Sequence, residues 1–261
     1  MCIRDRDASY PYGSGGPNGS FSLMTSHYMS TYGVTREDFG KICVAQRENA
    51  LNYPYAMMKK PLTLDEYMNA RLIADPIVLF DCVMPCAGGE AYLVMREEDA
   101  KAQGLPYANI LSTVERHNSY PDDPIQIRGG WALDVDEFWA MSGIAPGDVD
   151  LFQTYDDYPV ISAMQMEDLG FCEKGAASEF IQSNTFTHDG SFPHNTSGGQ
   201  LSVGQAGAAG GFLGLVEAIR QLTGGAVNNA VPDARYAAVS GFGIINFDRG
   251  LCSGAAILER A

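Results

Sequence analysis

Short apolar runs alternate along the 261 residues with stretches whose apolar positions recur every three to four residues, and this alternation predicts an α/β fold. Two further features agree with it. Hydrophobic residues make up 46% of the chain, enough for a sizeable packed core. Gly and Pro punctuate the periodic segments where helices or strands should stop.

Residues 7–20 are rich in Gly, Ser, Pro and Asn and predict a loop. A helical pattern over 21–32 stops at Gly33, a residue suited to a left-handed cap. Thr35 with Asp38 opens a second helix, which carries Phe39, Ile42 and Cys43 on one face. Thr63 with Glu66 repeats that signature before Tyr67, Leu72 and Ile73, with Pro54 and Pro61 between the two. Segments 77–80 and 91–95 predict buried strands around Gly88-Gly89, followed by a charged helix over 97–102. Leu105-Pro106 is the predicted domain boundary. Beyond it come a strand at 108–114, a helix at 135–141 ending at Gly143, and a strand at 149–153. A helix over 159–169 starts with Pro in its first turn and ends at Gly170. The clearest helix is 211–222, where Phe212, Leu215, Val216, Ile219 and Leu222 share one stripe. Strands at 236–239 and 255–258 follow.

Composition narrows function. Lys plus Arg is 17 against 32 Asp plus Glu, a formal charge of −15, which argues against nucleic-acid binding and against docking on anionic membrane. No apolar stretch approaches the roughly 20 residues that a spanning helix needs. Six scattered cysteines predict reduced thiols and a cytoplasmic setting. Cys82 and Cys86 lie four apart, but no second Cys pair or nearby His completes a zinc site, so no metal is expected. Met1 to Arg6 is charged where a signal peptide is apolar, and resembles a translated library adaptor. Residues 1–6 are therefore expected to be an artificial start, with the natural chain longer upstream.

Four clusters carry candidate chemistry. Tyr155-Asp156-Asp157-Tyr158-Pro159 sits at a strand exit and helix entry, where acidic groups either cap the helix or line a ligand crevice. The Gly-dense stretch 191–211, with His194, Asn195, Gly199, Gly204 and Gln205, lets backbone approach a ligand closely. It lacks the Lys and spacing of a phosphate loop. Ser240-Gly241-Phe242-Gly243 follows a strand but is not a nucleophile elbow, because Ala238 stands two before the Ser. Cys82 and Cys86 have apolar flanks that suit inert thiols. Of the four histidines only His194 falls in a cluster, and Lys59-Lys60 suits a solvated surface or a phosphorylated cofactor.

These clusters resemble the thiolase superfamily, in particular its sterol-carrier-protein or lipid-transfer type. The matching stretches are Arg71-Leu-Ile-Ala-Asp-Pro76 through Asp81-Cys82, Glu167-Asp-Leu-Gly-Phe-Cys172, Asn195-Thr-Ser-Gly-Gly199 through Ser202, and Glu217-Ala-Ile-Arg-Gln-Leu222. The resemblance implies a five-layered αβαβα fold of two related halves, usually dimeric. Residues 7–104 would be the later part of the first half with its loop region, and 105–261 the complete second half. It also implies a coenzyme A thioester as substrate, no permanently bound cofactor, and acyl transfer at family level. The family's nucleophilic Cys would lie upstream of residue 7. The Asn-Glu-Ala-Phe motif falls on Tyr155 to Tyr158, the Gly-His-Pro motif on Gly204-Gln205-Ala206, and the second catalytic Cys near Ser240, with the Gly-rich turn at Gly241 and Gly243. In this reading Gln205 and backbone amides near residues 241–243 stabilise the thioester oxyanion, and Tyr155 or Asp156 orients water or substrate. Gln in place of His cannot accept a proton, and Ser is a poor base in place of Cys. Two alternatives therefore stand beside acyl transfer. One is retro-aldol C–C cleavage with Tyr155 or Tyr158 as acid/base groups and a small OB-fold/zinc-ribbon partner. The other is a catalytically silent acyl-CoA-binding subunit.

Overall fold

The computed structural model describes residues 10–13, 16–226, 228–246 and 249–261; the opening hexapeptide, Cys2 and residues 7–9 lie outside them. Helices α1 (Pro17–Tyr32), α2 (Arg36–Asn52) and α3 (Leu64–Met68) come first. Gly33 caps α1 at φ 73°, and both Thr35–Asp38 and Thr63–Glu66 form complete capping boxes. Strands β1 (Leu72–Ala74) and β2 (Ile77–Val78) pair antiparallel, so Leu72 and Ile73 belong to a strand and not to the preceding helix. After Val78 the backbone tightens into a single turn at Leu79–Asp81, which ends the strand short of residue 80.

Segment 91–95 is irregular, not the expected buried strand: it pairs with no other strand, and Leu93 is 80% exposed. An apolar run without ladder partners leaves its N–H and C=O groups to water. Helix α4 (Glu97–Gln103) leads to β3 (Ala108–His117), then α5 (Trp131–Ser142), which starts four residues before the sequence pattern suggests. Strand β4 (Leu151–Gln153), α6 (Pro159–Asp168), α7 (Ala177–Ser183), α8 (Gly199–Val203) and α9 (Leu213–Leu222) follow. The turn before α9, Gly207–Phe212, is a 3₁₀ helix, so the long helix begins at Leu213 and not at Gly211. Strands β5 (Tyr236–Asn246) and β6 (Arg249–Arg260) run well past the apolar cores that announced them.

The main sheet has the order β3-β6-β5-β4, with β4 parallel to β5 and the other pairs antiparallel. His194 adds a one-residue parallel bridge beside Phe152 at the β4 edge. One sheet face packs on α9 through Leu151, Ala237, Leu258, Ala218 and Leu222. The other meets α5 and the wholly buried α6 in the largest core, which draws on both sides of residues 105–106 and includes Phe21, Tyr28, Phe39, Trp131, Phe152 and Phe242. Each such aromatic contributes on the order of 1.5–3 kcal/mol by leaving water. This core fixes α2 and α6 beside the C-terminal end of β4 and the middle of β5, where the candidate site lies.

Candidate active site

The chain leaves β4 and keeps one more rung with β5: the Tyr155 amide donates to the Ser240 carbonyl at 3.1 Å. Gln165 on α6 then clamps the turn. Its Nε2 donates to the Tyr155 carbonyl at 2.7 Å, and its Oε1 accepts from the Ser240 hydroxyl at 2.6 Å and the Tyr155 amide at 3.2 Å. Ser240 is buried and committed to this clamp, so it is a positioning residue for Tyr155.

Asp156 turns inward. It is fully buried and accepts from the Gln200 amide (2.8 Å), the Leu201 amide (3.3 Å) and Gln46 Nε2 (3.0 Å). Burial outweighs these donors and pushes its carboxyl up to about 8. It therefore orients α8 rather than a substrate. Gly199 makes this approach possible: at φ 61° a Cβ there would stand 2.1 Å from Asp156 Oδ2.

Asn195, at φ 42°, uses Oδ1 to accept the Thr154 amide (2.8 Å) and Nδ2 to donate to Thr154 Oγ1 (3.2 Å). Asn195, Gly199, Ser240, Asp156 and Gln200 together line a cavity of about 10 Å³, room for about one water. Both side-chain polar atoms of buried Gln200 lack a protein partner. His194, expected among the substrate-binding residues, is instead part of the core. It is wholly buried between Phe152 and Phe186, bonded through Nε2 to Thr154 Oγ1 at 2.8 Å, and burial pushes its imidazole down to about 3. Gly241 and Gly243 do not form a turn either. Both sit within β5, paired with Gly254 and Cys252 of β6, because the hairpin ladder runs on to Asn246.

The group that remains open is Tyr155, Asp157 and Gln205, all half-buried. The Tyr155 hydroxyl donates to Asp157 Oδ2 at 2.9 Å, and Gln205 Nε2 donates to Tyr155 Oη at 3.2 Å and to Asp157 Oδ1. An amide nitrogen has two N–H groups, and both are engaged here, so Gln205 holds this pair rather than offering a free oxyanion donor. Gln205 is itself pinned: its amide donates to the Met84 carbonyl (2.8 Å), and the Cys86 amide donates to its carbonyl (2.9 Å). Burial pushes Asp157 up to about 6, and burial with the neighbouring Asp157 charge raises the Tyr155 phenol far above its ordinary value. Tyr155 thus keeps its proton at neutral pH and can pass it only in a relay through Asp157.

Beside Gln205, a cavity of about 470 Å³ is lined by Tyr53, Met57, Cys86, Gly88, Gly204 and Arg220. Gly204 (φ 109°) lies so close to Cys86 that a Cβ would meet its sulfur at 2.8 Å. Arg220 donates to Tyr53 Oη at 2.7 Å, and Lys59 is spent on the Tyr53 and Pro54 carbonyls. Gln165 and Gln46 were not foreseen as site residues, and Asp157 was expected only as a member of the strand-exit cluster, with no role of its own. Asp157 had a signal in its two-residue offset from Tyr155; Gln46, 110 residues from Asp156, had none.

Comparison with known proteins agrees with this architecture. A family model described as "Thiolase C-terminal domain-like" matches residues 129–256. A 17-hydroxy-3-oxo-4-pregnene-20-carboxyl-CoA lyase of Mycobacterium tuberculosis is 32% identical over 92% of this chain and 64% of its own length. A steroid side-chain-cleaving aldolase of Thermomonospora curvata is 32% identical over 90% of this chain and 61% of its own. The chain thus spans less than two thirds of the length of these relatives. The solved Ltp2-ChsH2(DUF35) aldolase superposes with a TM-score of 0.82 at 27% identity, over 98% of this chain and 66% of that one. With residues 129–256 matched by that family model and 98% of the chain superposable on the aldolase, the chain has a thiolase-like fold and is similar to the lipid-transfer type.

Proposed function

We propose that this protein takes part in retro-aldol C–C bond cleavage of a β-hydroxyacyl-CoA thioester, with Tyr155 and Asp157 as its proton-transfer pair. The observation that carries this reading is the Tyr155–Asp157–Gln205 cluster, a phenol and a carboxylate where acyl transfer needs an imidazole. In the proposed step the substrate hydroxyl gives its proton to Tyr155 Oη while Tyr155 passes its own to Asp157. The Cα–Cβ bond breaks, a carbonyl forms at Cβ, and the electron pair moves to Cα as the thioester enolate, which is then protonated. The step is redox-neutral and forms no covalent enzyme adduct. The 470 Å³ cavity beside Gln205 is the proposed entry for the thioester.

Two relatives named as a lyase and an aldolase support this reading over acyl transfer, as does the aldolase complex among the solved structures. That complex also supports a small second subunit as the partner. Residues 7–104 are proposed to belong to the first half of the fold and 105–261 to the second.

The test is turnover of a β-hydroxyacyl-CoA by the whole protein, alone and with a small partner subunit, followed by mass spectrometry of both products. Tyr155→Phe is expected to lower kcat by about 10²–10⁴-fold, the usual size of general acid–base catalysis. An acyl adduct on the intact protein, with thiolysis and no cleavage, would overturn the proposal.

A further inference from the structure

We propose that Glu115, His117 and Cys252 form a surface site for a divalent transition ion of zinc character, bridging β3 and β6. The three residues are brought together by strand register alone. Glu115 and His117 are two apart on β3 and share one face, and His117 stands directly opposite Cys252 on β6. Their ligand atoms all lie within 4.8 Å of one another, with Cys252 Sγ 3.8 Å from His117 Nε2 and Glu115 Oε1 2.6 Å from that nitrogen. Zinc bonds of about 2.3 Å to sulfur and 2.0–2.1 Å to nitrogen put those two atoms about 3.5 Å apart in a tetrahedron. The sulfur and nitrogen therefore stand near bonding separation, and only the Glu115 side chain has to swing away from the imidazole.

The backbone beneath the cluster is held from the opposite face. Arg116 pairs with Asp134 of α5, and the Gly130 amide donates to Ser253 Oγ at 2.9 Å. At the strand end the Asn118 amide donates to the Leu251 carbonyl at 2.8 Å. Residues on either side of His117 and Cys252 are thus locked while Glu115 and His117 face solvent and Cys252 is half-buried, an arrangement that costs little to reorganise on binding. A thiolate, an imidazole and a carboxylate together select a borderline ion and disfavour magnesium or calcium, which take oxygen. Three protein ligands leave the fourth position for water. Binding replaces the Cys252 thiol proton, which leaves to solvent. The site rests on none of the acyl-CoA reading.

The test is titration of the reduced, chelator-stripped protein with Co²⁺. Expected are a near-ultraviolet thiolate-to-cobalt band saturating at one equivalent and its loss on adding Zn²⁺. Cys252→Ser should remove the band, and His117→Gln should weaken binding at least tenfold. Glu115→Gln, which keeps the sulfur and nitrogen, should retain the band at lower affinity. Circular dichroism of each variant checks that the fold is kept. Absence of the band in the native protein, or its survival in Cys252→Ser, would overturn the proposal.

Discussion

Tyr155, Asp157 and Gln205 act as one unit because each leaves the others a defined hydrogen-bond role. With Asp157 pushed up to about 6 by burial, the accepting carboxylate exists above that value, so turnover should rise tenfold per pH unit below about 6 and level off above it. Asp157→Asn should lower kcat and remove that acid limb; a limb unchanged in the variant would assign the titration elsewhere. His194 belongs to a different class. Its burial between Phe152 and Phe186 predicts that His194→Ala costs about 2–4 kcal/mol of stability by leaving a cavity. The pH profile of turnover should stay unchanged, a comparison that denaturant unfolding and steady-state rates make directly. Tyr155 and Gln205 were legible as candidate site residues because they stand at a strand exit and in a Gly-dense loop. Which of their neighbours matter was not, because Ser240 and Asp156 look free in sequence until Gln165 and the α8 amides are seen to occupy them.

Elements with local signals were legible to within a few residues. Thr35 and Thr63 announce their helices because a capping box is closed by residues three apart, and Thr35→Ala should cost about 1 kcal/mol in thermal or chemical unfolding. Segment 91–95 misled for the opposite reason, since an apolar run becomes a strand only where a partner strand exists. Helix α8 was invisible at five residues, too short for periodicity, and is defined instead by Asp156 beneath its first turn. That contact leaves no space at Gly199, where an added methyl meets both a carboxylate and a positive φ. Gly199→Ala is expected to destabilise by about 2–4 kcal/mol, and to release the Gly204-Gln205 segment that follows; a neutral denaturant midpoint would contradict the packing described.

At the scale of the molecule, buried acids dominate the pH response. Asp81, Asp156 and Asp157 are pushed up by burial to about 6, 8 and 6, so the folded chain binds protons there that the unfolded chain has already lost. Stability from these groups therefore falls as pH rises from about 4 towards 8. His194, pushed down to about 3, acts in the other direction but only below its unfolded value near 6.5. The surplus of acid over base adds self-repulsion with the same sign as the carboxylates. The expected outcome is a Tm higher at pH 5.5 than at pH 8, and a flat or rising profile over that interval would show that the three carboxylates ionise normally. Described residues include no helix long and apolar enough to cross a membrane.

The pairing of β3 with β6 also dictates how the chain must assemble. All nine or so rungs of β3 are supplied by a strand whose last residue, Arg260, follows His117 by 143 positions. At a synthesis rate of roughly 5–20 residues per second, β3 emerges from the ribosome on the order of 10–30 s before its partner. Loop closure over such a distance is slow, and during that interval one long strand edge stands open to any other extended chain. Yield in cells should therefore respond to holdase chaperones and to synthesis speed more than to the stability of the finished sheet.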